Sequence, residues 1–347
     1  MQIEECRSIV LVLAADESYA QPMAVTIFSV LENISPGRSI DLFLIDGGLQ
    51  PHQRMRIERI AERHSVCVSV HWTSVSPAEL SRLPLVRLYD TFSKATLFRL
   101  WIPDLLPKEC TKAIYLDSDI LVEGDIVELW EEPLDESVLA VQDYWIPYIS
   151  SPNGITYFNE MDMRSDAPYF NAGLMVLNID KWRANDVQEN TIEHLTKYAN
   201  YLSHNDQEGL NAVLIDDWRP LSVEWNVHHD FRYKGWKDHA DQWSDSLFIQ
   251  MLRERQNKLV AECKALHFTG SSKPWIDEIS HPKGYDWFRY LWASGWLSRE
   301  ERIRSQLLFY SRYYPREVLR RGADYTRPYR HKLANRLPSG FADALRR

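Results

Sequence analysis

No stretch of this 347-residue chain is apolar for long enough to cross a bilayer. The longest apolar runs, around Ser8–Ala15 and Ala172–Leu177, fall far short of the roughly 20 residues that a transmembrane helix needs. No membrane span is therefore expected. Met1–Cys6 carries Glu4 and Glu5 and no basic residue, so no secretory leader is expected either and the protein is placed in the cytoplasm. Cysteine is scarce, and Cys6, Cys67, Cys110 and Cys263 are dispersed along the chain. They lack the close spacing of a zinc site or a redox pair, which leaves reduced, buried thiols. There is no internal repeat and no low-complexity segment. What remains is a globular protein whose 45% hydrophobic residues suffice for a large core.

Positive charge is short in the body of the chain and abundant at its end. The formal net charge of -9 disfavours nucleic acid as a partner. Residues 299–347 nevertheless hold 13 Arg and Lys against 5 Asp and Glu, leaving 27 basic and 44 acidic residues before them. The body thus carries -17 and the tail +8, which suggests a division into residues 1–298 and a basic tail, 299–347. In the tail Arg is mixed with Leu307, Leu308, Phe309, Tyr310, Tyr313 and Tyr314. That composition suits an anionic membrane surface and would set the protein against the inner face of the cell membrane. The plainer alternative is a solvated basic helix, or one that touches the acidic body.

Hydrophobic periodicity predicts alternating elements. Strands are expected at Ser8–Ala15, Ile40–Ile45, Val66–His71, Ala113–Leu116, Val138–Val141 and Leu174–Leu177, with a short one at Ala265–Leu266. Helices are expected at Tyr19–Glu32, Pro51–Arg63, Lys94–Leu105, Val187–Tyr201 and Gln207–Ile215. Alternation of this kind implies an α/β fold, a mostly parallel sheet flanked by helices. The rhythm lapses over Trp218–Trp243, where Trp, His and Asp crowd together, and an irregular functional surface is expected there.

Chemistry concentrates at two strand ends. Tyr115-Leu116-Asp117-Ser118-Asp119 places two carboxylates two apart as an apolar strand finishes, and a period of 2 puts both on one face. Such a pair repels itself unless a cation intervenes, and hard oxygen ligands suit Mg²⁺ or Mn²⁺. Acidic pairs are common on surfaces, and Glu123-Gly124-Asp125 is one that carries no such expectation. The second cluster, His267-Phe268-Thr269-Gly270-Ser271-Ser272-Lys273-Pro274-Trp275, offers an imidazole, a glycine that admits a phosphate to the backbone, and a positive charge. His228-His229-Asp230 is a weaker metal candidate, because adjacent residues of a strand face opposite ways. Among the 13 Trp, Trp225, Trp236, Trp243 and Trp275 suit either a sugar-stacking cleft or ordinary core.

These motifs, with Ala14-Ala15-Asp16 after the first strand, Arg99, Phe170-Asn171-Ala172-Gly173 and Asn205-Asp206-Gln207, occur in an order that resembles the family 8 glycosyltransferases. That group includes bacterial lipopolysaccharide hexosyltransferases and the glycogenins. The resemblance runs over residues 8–275 and implies a GT-A fold: a Rossmann-like nucleotide-binding half and an acceptor-binding half. It implies a UDP-sugar donor, a carbohydrate or lipid-linked glycan acceptor, and Mn²⁺ (or Mg²⁺) held by Asp117, Asp119 and His267. Ala14, Ala15, Asp16, Ser18 and Ser118 would contact the nucleotide, with Ser18 standing where an Asn is common. Gly270 and Lys273 would hold the diphosphate. Arg99, Asn171, Ala172, Asp206 and Gln207 would surround the transferred hexose, glucose or galactose, with Asp206 and Gln207 nearest the chemistry. Family members retain anomeric configuration. Since Gln207 is a poor nucleophile and Asp206 suits a grip on sugar hydroxyls, a same-face route is expected.

Two other classes compete. A haloacid-dehalogenase-like phosphatase also starts from Asp-x-Asp after a buried strand, with Asp216-Asp217 as its later acidic pair. That family places Thr or Val where this chain has Leu121, and it leaves His267–Trp275 unexplained. A non-catalytic nucleotide-sugar-binding or lectin-like module has no feature of its own here.

Overall fold

A strand whose two faces are both buried belongs inside a sheet covered on each side, and all seven residues of Ile9–Ala15 (β1) are buried. In the computed structural model, which describes residues 8–83, 94–229, 246–276 and 284–321, β1 pairs in parallel with Ser39–Asp46 (β2) and Lys112–Asp117 (β4). Cys67–Thr73 (β3) lies beyond β2 at the edge, and its alternating exposure shows that one of its two faces is less covered than the other. On the other side come Phe170–Asn178 (β7), Val138–Gln142 (β6) and Trp218–Pro220 (β8), giving the order β3-β2-β1-β4-β7-β6-β8. Only β7 is antiparallel to its neighbours. The mostly parallel α/β sheet is as expected.

The chain runs outward from β1 through the helix Ala20–Asn33 (α1), β2 and the helix Pro51–Arg63 (α2) to β3, then returns across β1 to lay down β4. Strand order reverses between β1 and β4, and ligands of open α/β sheets sit outside the carboxyl ends of the strands at such a point. A second sheet of three short strands, Ile120–Val122 (β5), Ala265–His267 (β10) and Val227–His228 (β9), forms beside it.

Predicted elements differ in detail for local reasons. Lys94–Leu105 is a 3₁₀ segment, Lys94–Trp101, followed by one α turn at Ile102–Leu105. Pro103 has no N–H to return to the Arg99 carbonyl, so a continuous α-helix would lose a bond there, and Pro103 stands instead in the first turn of the α segment, where proline is tolerated. Within Trp218–Trp243, the described part holds β8, the 3₁₀ turn Val223–Asn226 and β9, so it is more regular than expected. Asp230, Trp236 and Trp243 lie outside the described residues, as do Cys6 and the tail beyond Arg321.

The chain divides into two compact units: one up to Ser271 that includes Arg289–Trp296, and one of Ser272–Phe288 with the chain from Leu297. In the first, the main core gathers Trp101, Tyr115, Phe170 and Trp182. In the second, Phe309 of the helix Arg299–Arg321 packs against Phe288 and Tyr285, with ring centroids 5.1 and 6.0 Å away.

A polar cluster under the Asn205–Val213 helix bears on stability. Tyr157 donates to the wholly buried Glu208 carboxylate at 2.9 Å and lies 2.8 Å from His194 Nε2. Burial, with a contribution from Lys197, pushes His194 down to about 4. The imidazole therefore folds neutral. Because the folded value lies below the unfolded one of about 6.5, stability from this group is complete above pH 6.5 and drains as pH falls towards 4. The loss is on the order of 3 kcal/mol. Urea unfolding at pH 7 and pH 4.5 is expected to show a smaller acid-induced drop in His194→Gln than in the parent. Equal drops would refute the assignment.

Candidate active site

The switch point is built from the carboxyl ends of β1 and β4, where Ala14 stands opposite Asp117. Ser118 ties the two strands together. Its hydroxyl donates to the Ala14 carbonyl at 2.7 Å, and its own carbonyl accepts from Thr26 Oγ1 at 3.0 Å. The chain then leaves the large sheet, and Asp119 leads into β5 of the small one. There β10 runs antiparallel to β5 with His267 opposite Ile120, and the Phe268 N–H donates to the Asp119 carbonyl at 3.0 Å. This register sets His267 Nε2 3.1 Å from Asp119 Oδ1 and 3.8 Å from Asp117 Oδ2. Asp117 and Asp119 thus converge through a turn between two sheets, and the pleat of one strand plays no part.

One ligand atom from each of Asp117, Asp119 and His267 lies within 4.8 Å of the others, the one such trio among the described residues. Ligands about 2.1 Å from a shared ion sit roughly 3 to 4 Å apart, so the spacing fits a single small cation. Two carboxylate oxygens and an imidazole suit Mn²⁺ or Mg²⁺ in chemistry as well. The approach is permitted by Gly173. A Cβ there would fall 2.3 Å from His267 Cε1 and 2.9 Å from Asp117 Oδ2. Gly173 occupies a slip in the ladder: Ala140 pairs with Met175 but Val141 with Asn171, which leaves residues 172–174 unmatched on β6 and turns the backbone towards the trio.

Behind the trio, a buried Arg99 organises the acids. Its guanidinium donates to Asp117 Oδ1 at 2.8 Å and to the Ala172 carbonyl at 2.6 Å, and lies 3.0 Å from Asp206 Oδ2. Tyr115 also donates to Asp117 Oδ1, at 2.7 Å. One oxygen of Asp117 is thereby anchored while the other faces His267. Burial raises the Asp117 carboxyl, and Asp119 adds to it, against the opposing pull of Arg99. Asp206 is pushed up to about 6, chiefly by burial, with Arg99 opposing and Asp117 reinforcing. The phenol of Tyr19 is raised by burial and by the charges of Asp119, Asp117 and Asp16. Concentrated negative charge of this kind marks a cation site.

The remaining expected residues divide between this site and other places. Asp16 Oδ1 accepts from the Ser18 N–H, the Ser18 hydroxyl and the Tyr19 N–H at 2.9, 2.6 and 3.2 Å, folding the loop after β1 into a tight turn. Ala15 accepts from the Gly47 N–H at 2.8 Å. Gln207 Oε1 accepts from the Ala172 N–H at 3.1 Å, and its Nε2 reaches Asp143 Oδ2 at 3.3 Å. Asn171 donates to the same Asp143 oxygen at 2.9 Å. Gly270 adopts φ +70 with open space where a side chain would be. Lys273 belongs to the second compact unit, its Nζ 5.8 Å from the Trp275 ring. Gly173, Tyr19, Asp143 and Asn226 were not singled out as site residues from sequence. Of these only Gly173 stood inside a recognised motif; a lone Asp after a strand and a lone Asn carry no local signal.

The weaker candidates serve the fold. His228 lies between the Tyr144 ring at 4.3 Å and the His267 ring at 5.5 Å, and His229 lies 6.1 Å from the Phe268 ring; neither is a member of the trio. Asp125 accepts from Ser35, and Glu123 pairs with Arg289 at 3.7 Å. Asp217 accepts from Ser137 and Lys181. Ser137 sits at the end of the sheet where β4 begins, the end opposite Asp117, so the acidic pair that a phosphatase would require is in the wrong place. Trp225 is core, packed over Gly124 and Lys264. Trp275 meets Trp287 at 5.3 Å.

The model of the Glycosyl transferase family 8 matches residues 10–278. General stress protein A of Bacillus subtilis is 27% identical over 295 residues, 82% of this chain and 94% of that one. A lipopolysaccharide 1,2-glucosyltransferase of Escherichia coli is 23% identical over 300 residues, covering 86% and 82% respectively. Among solved structures, the galactosyltransferase LgtC in complex with donor and acceptor sugar analogs superposes with a TM-score of 0.66 at 21% identity, over 84% of this chain and 98% of that one. It shares the fold.

Gly173→Ala is expected to displace the His267 ring and to weaken Mn²⁺ binding by about tenfold or more, read by calorimetric titration. Unchanged affinity would show that the trio does not depend on this contact.

Proposed function

The chain belongs to glycosyl transferase family 8, and on that footing we propose that it moves a hexose, glucose or galactose, from a UDP-sugar to a glycan or lipid-linked acceptor with retention of configuration. The observation that carries this reading is the Asp117, Asp119 and His267 trio at the switch point between β1 and β4. Cleavage of the anomeric C–O bond leaves negative charge on UDP, and Mn²⁺ or Mg²⁺ held by the trio supplies positive charge where it develops. In this reading Gly270 and Lys273 grip the diphosphate. Ala14, Ala15, Asp16, Ser18 and Ser118 line the nucleotide. Tyr19 shares their turn and feels the acids of the metal site.

Arg99, Asn171, Ala172, Asp206 and Gln207 surround the hexose. Two contacts favour the same-face route over a covalent adduct. Asp206 is drawn into an ion pair with Arg99, and the amide oxygen of Gln207 is occupied by the Ala172 N–H. The acceptor hydroxyl then attacks on the face that UDP leaves, and its proton passes to a donor phosphate oxygen. The phosphatase alternative loses its later acidic pair to the far end of the sheet. A binding-only module leaves the convergence on a leaving group without purpose.

No described helix is long and apolar enough to cross a membrane. The Arg299–Arg321 helix exposes Ile303 and Leu307 beside Arg302 and Arg304, which supports peripheral contact with an anionic membrane facing the cytoplasm.

Incubated with Mn²⁺ and a panel of UDP-glucose, UDP-galactose and UDP-N-acetylhexosamines, the protein is expected to release UDP fastest from one of the first two. Asp119→Ala should be slower by about a hundredfold or more; a variant as fast as the parent would refute the metal assignment. Co-sedimentation with anionic vesicles is expected to fall sharply in the full-length Ile303→Glu/Leu307→Glu double variant. Parent and variant staying equally in the supernatant would end the membrane proposal.

A further inference from the structure

His267 can serve as a ligand only through a nitrogen that carries a lone pair, so the position of its single proton matters as much as the position of its ring. Nε2 faces the two carboxylates, and Nδ1 lies 3.0 Å from Asn226 Oδ1. Asn226 is itself buried, and its Nδ2 donates to Asn171 Oδ1 at 2.9 Å. Asn171 Oδ1 also accepts from the Gly173 N–H at 3.0 Å, while its Nδ2 donates to Asp143 Oδ2 at 2.9 Å. Four side chains from four segments thus form one buried line, from Asp143 after β6, through Asn171 on β7 and Asn226 before β9, to His267 on β10.

The direction of that line is set at its far end. An amide can be turned over, exchanging donor for acceptor, but Asn171 cannot. A backbone N–H only donates, so it demands oxygen on one side of the Asn171 amide. An ionised carboxylate only accepts, so it demands nitrogen on the other. Asp143 is held ionised: burial would raise it, but His228, the Asn171 amide and the N–H groups of Trp145 and Ile146 together bring it below the usual carboxylate range. With Asn171 fixed, its oxygen demands the nitrogen of Asn226. Asn226 must then present its oxygen to His267, and only an imidazole with the proton on Nδ1 satisfies that oxygen. Every reversed arrangement places two acceptors, or two donors, face to face in a buried site.

We infer that Asn226 and Asn171 are positioning residues that keep a proton on Nδ1 of His267, so that Nε2, turned towards Asp117 and Asp119, is the nitrogen that gives its place to a divalent cation. This rests on the metal-site reading above but has a separate readout. Gln207 donates to the same Asp143 oxygen that anchors the line. The orientation of the metal ligand and of the sugar-side amide therefore have one origin, the carboxylate of Asp143.

The test uses the full-length, metal-free protein labelled with ¹⁵N-histidine at pH 8. Long-range ¹H–¹⁵N correlation reports which ring nitrogen of His267 is protonated, and His267→Gln identifies the signal. The expected result is a proton on Nδ1. A ring protonated on Nε2 alone, with no proton on Nδ1, overturns the proposal. Asn226→Leu removes the acceptor and is expected to lose the Nδ1–H signature and to weaken Mn²⁺ binding about 10–100-fold, measured from the spin resonance of free Mn²⁺. Asn226→Asp loses the donor to Asn171 but keeps an acceptor for Nδ1–H, and should retain the proton on Nδ1 even if the leucine variant folds poorly. Retained tautomer and unchanged Mn²⁺ affinity in Asn226→Leu would also overturn it. A parent protein that takes up no Mn²⁺ refutes the metal reading, whereas the tautomer signal still decides the relay.

Discussion

The site depends on a close approach that tolerates no side chain at residue 173. There the backbone of β7 passes so near His267 and Asp117 that a methyl group would overlap both. Everything else about the trio follows from bringing these chains together. β7 runs antiparallel between β4 and β6, slips its register at the level of the site, and delivers bare backbone where the large sheet meets the small one. The ring of His267 is then held by packing as well as by hydrogen bonds, which preorganises it as a ligand.

Electrostatics makes the arrangement workable. Asp117, Asp119 and Asp206 gather in largely buried surroundings, where their mutual repulsion is weakly screened. Arg99 meets two of them at once from beneath, and its planar fork holds Asp117 by one oxygen while the other is turned to the ligand side. A lysine would neutralise as much charge without imposing that orientation. The raised values of Asp117 and Asp206 come chiefly from burial, with a smaller contribution from the neighbouring carboxylates, and a cation placed among the acids would offset both effects.

Polar groups at the core of the site are joined into one system. Asp143 collects the Asn171 and Gln207 amides and two backbone N–H groups, and Asn171 passes the polarity on to Asn226 and His267. Buried networks satisfied at every member rigidify what they touch. Here the rigid line links His267 to the residues proposed to surround the hexose, so the proposed metal ligand and the proposed sugar contacts share a scaffold.

From sequence alone, the strand and helix alternation, the acidic pair at the end of β4, His267 and the resemblance to family 8 were all legible. Apolar periodicity, strand ends and short motifs are written into neighbouring residues. The end of the Lys94–Leu105 helix was legible in Pro103 and Pro107, whereas its 3₁₀ form over Lys94–Trp101 was not. Register was not legible. That His267 stands opposite Ile120, that Asp117 and Asp119 meet through a turn between two sheets, and that Gly173 is the point of contact are decided by pairings between distant segments. Asn226 and His267 are 41 residues apart, and Asn226 and Asn171 are 55. A lone buried amide has no periodicity to betray its partner. Its meaning comes from which donors and acceptors surround it, and only the folded chain brings those together.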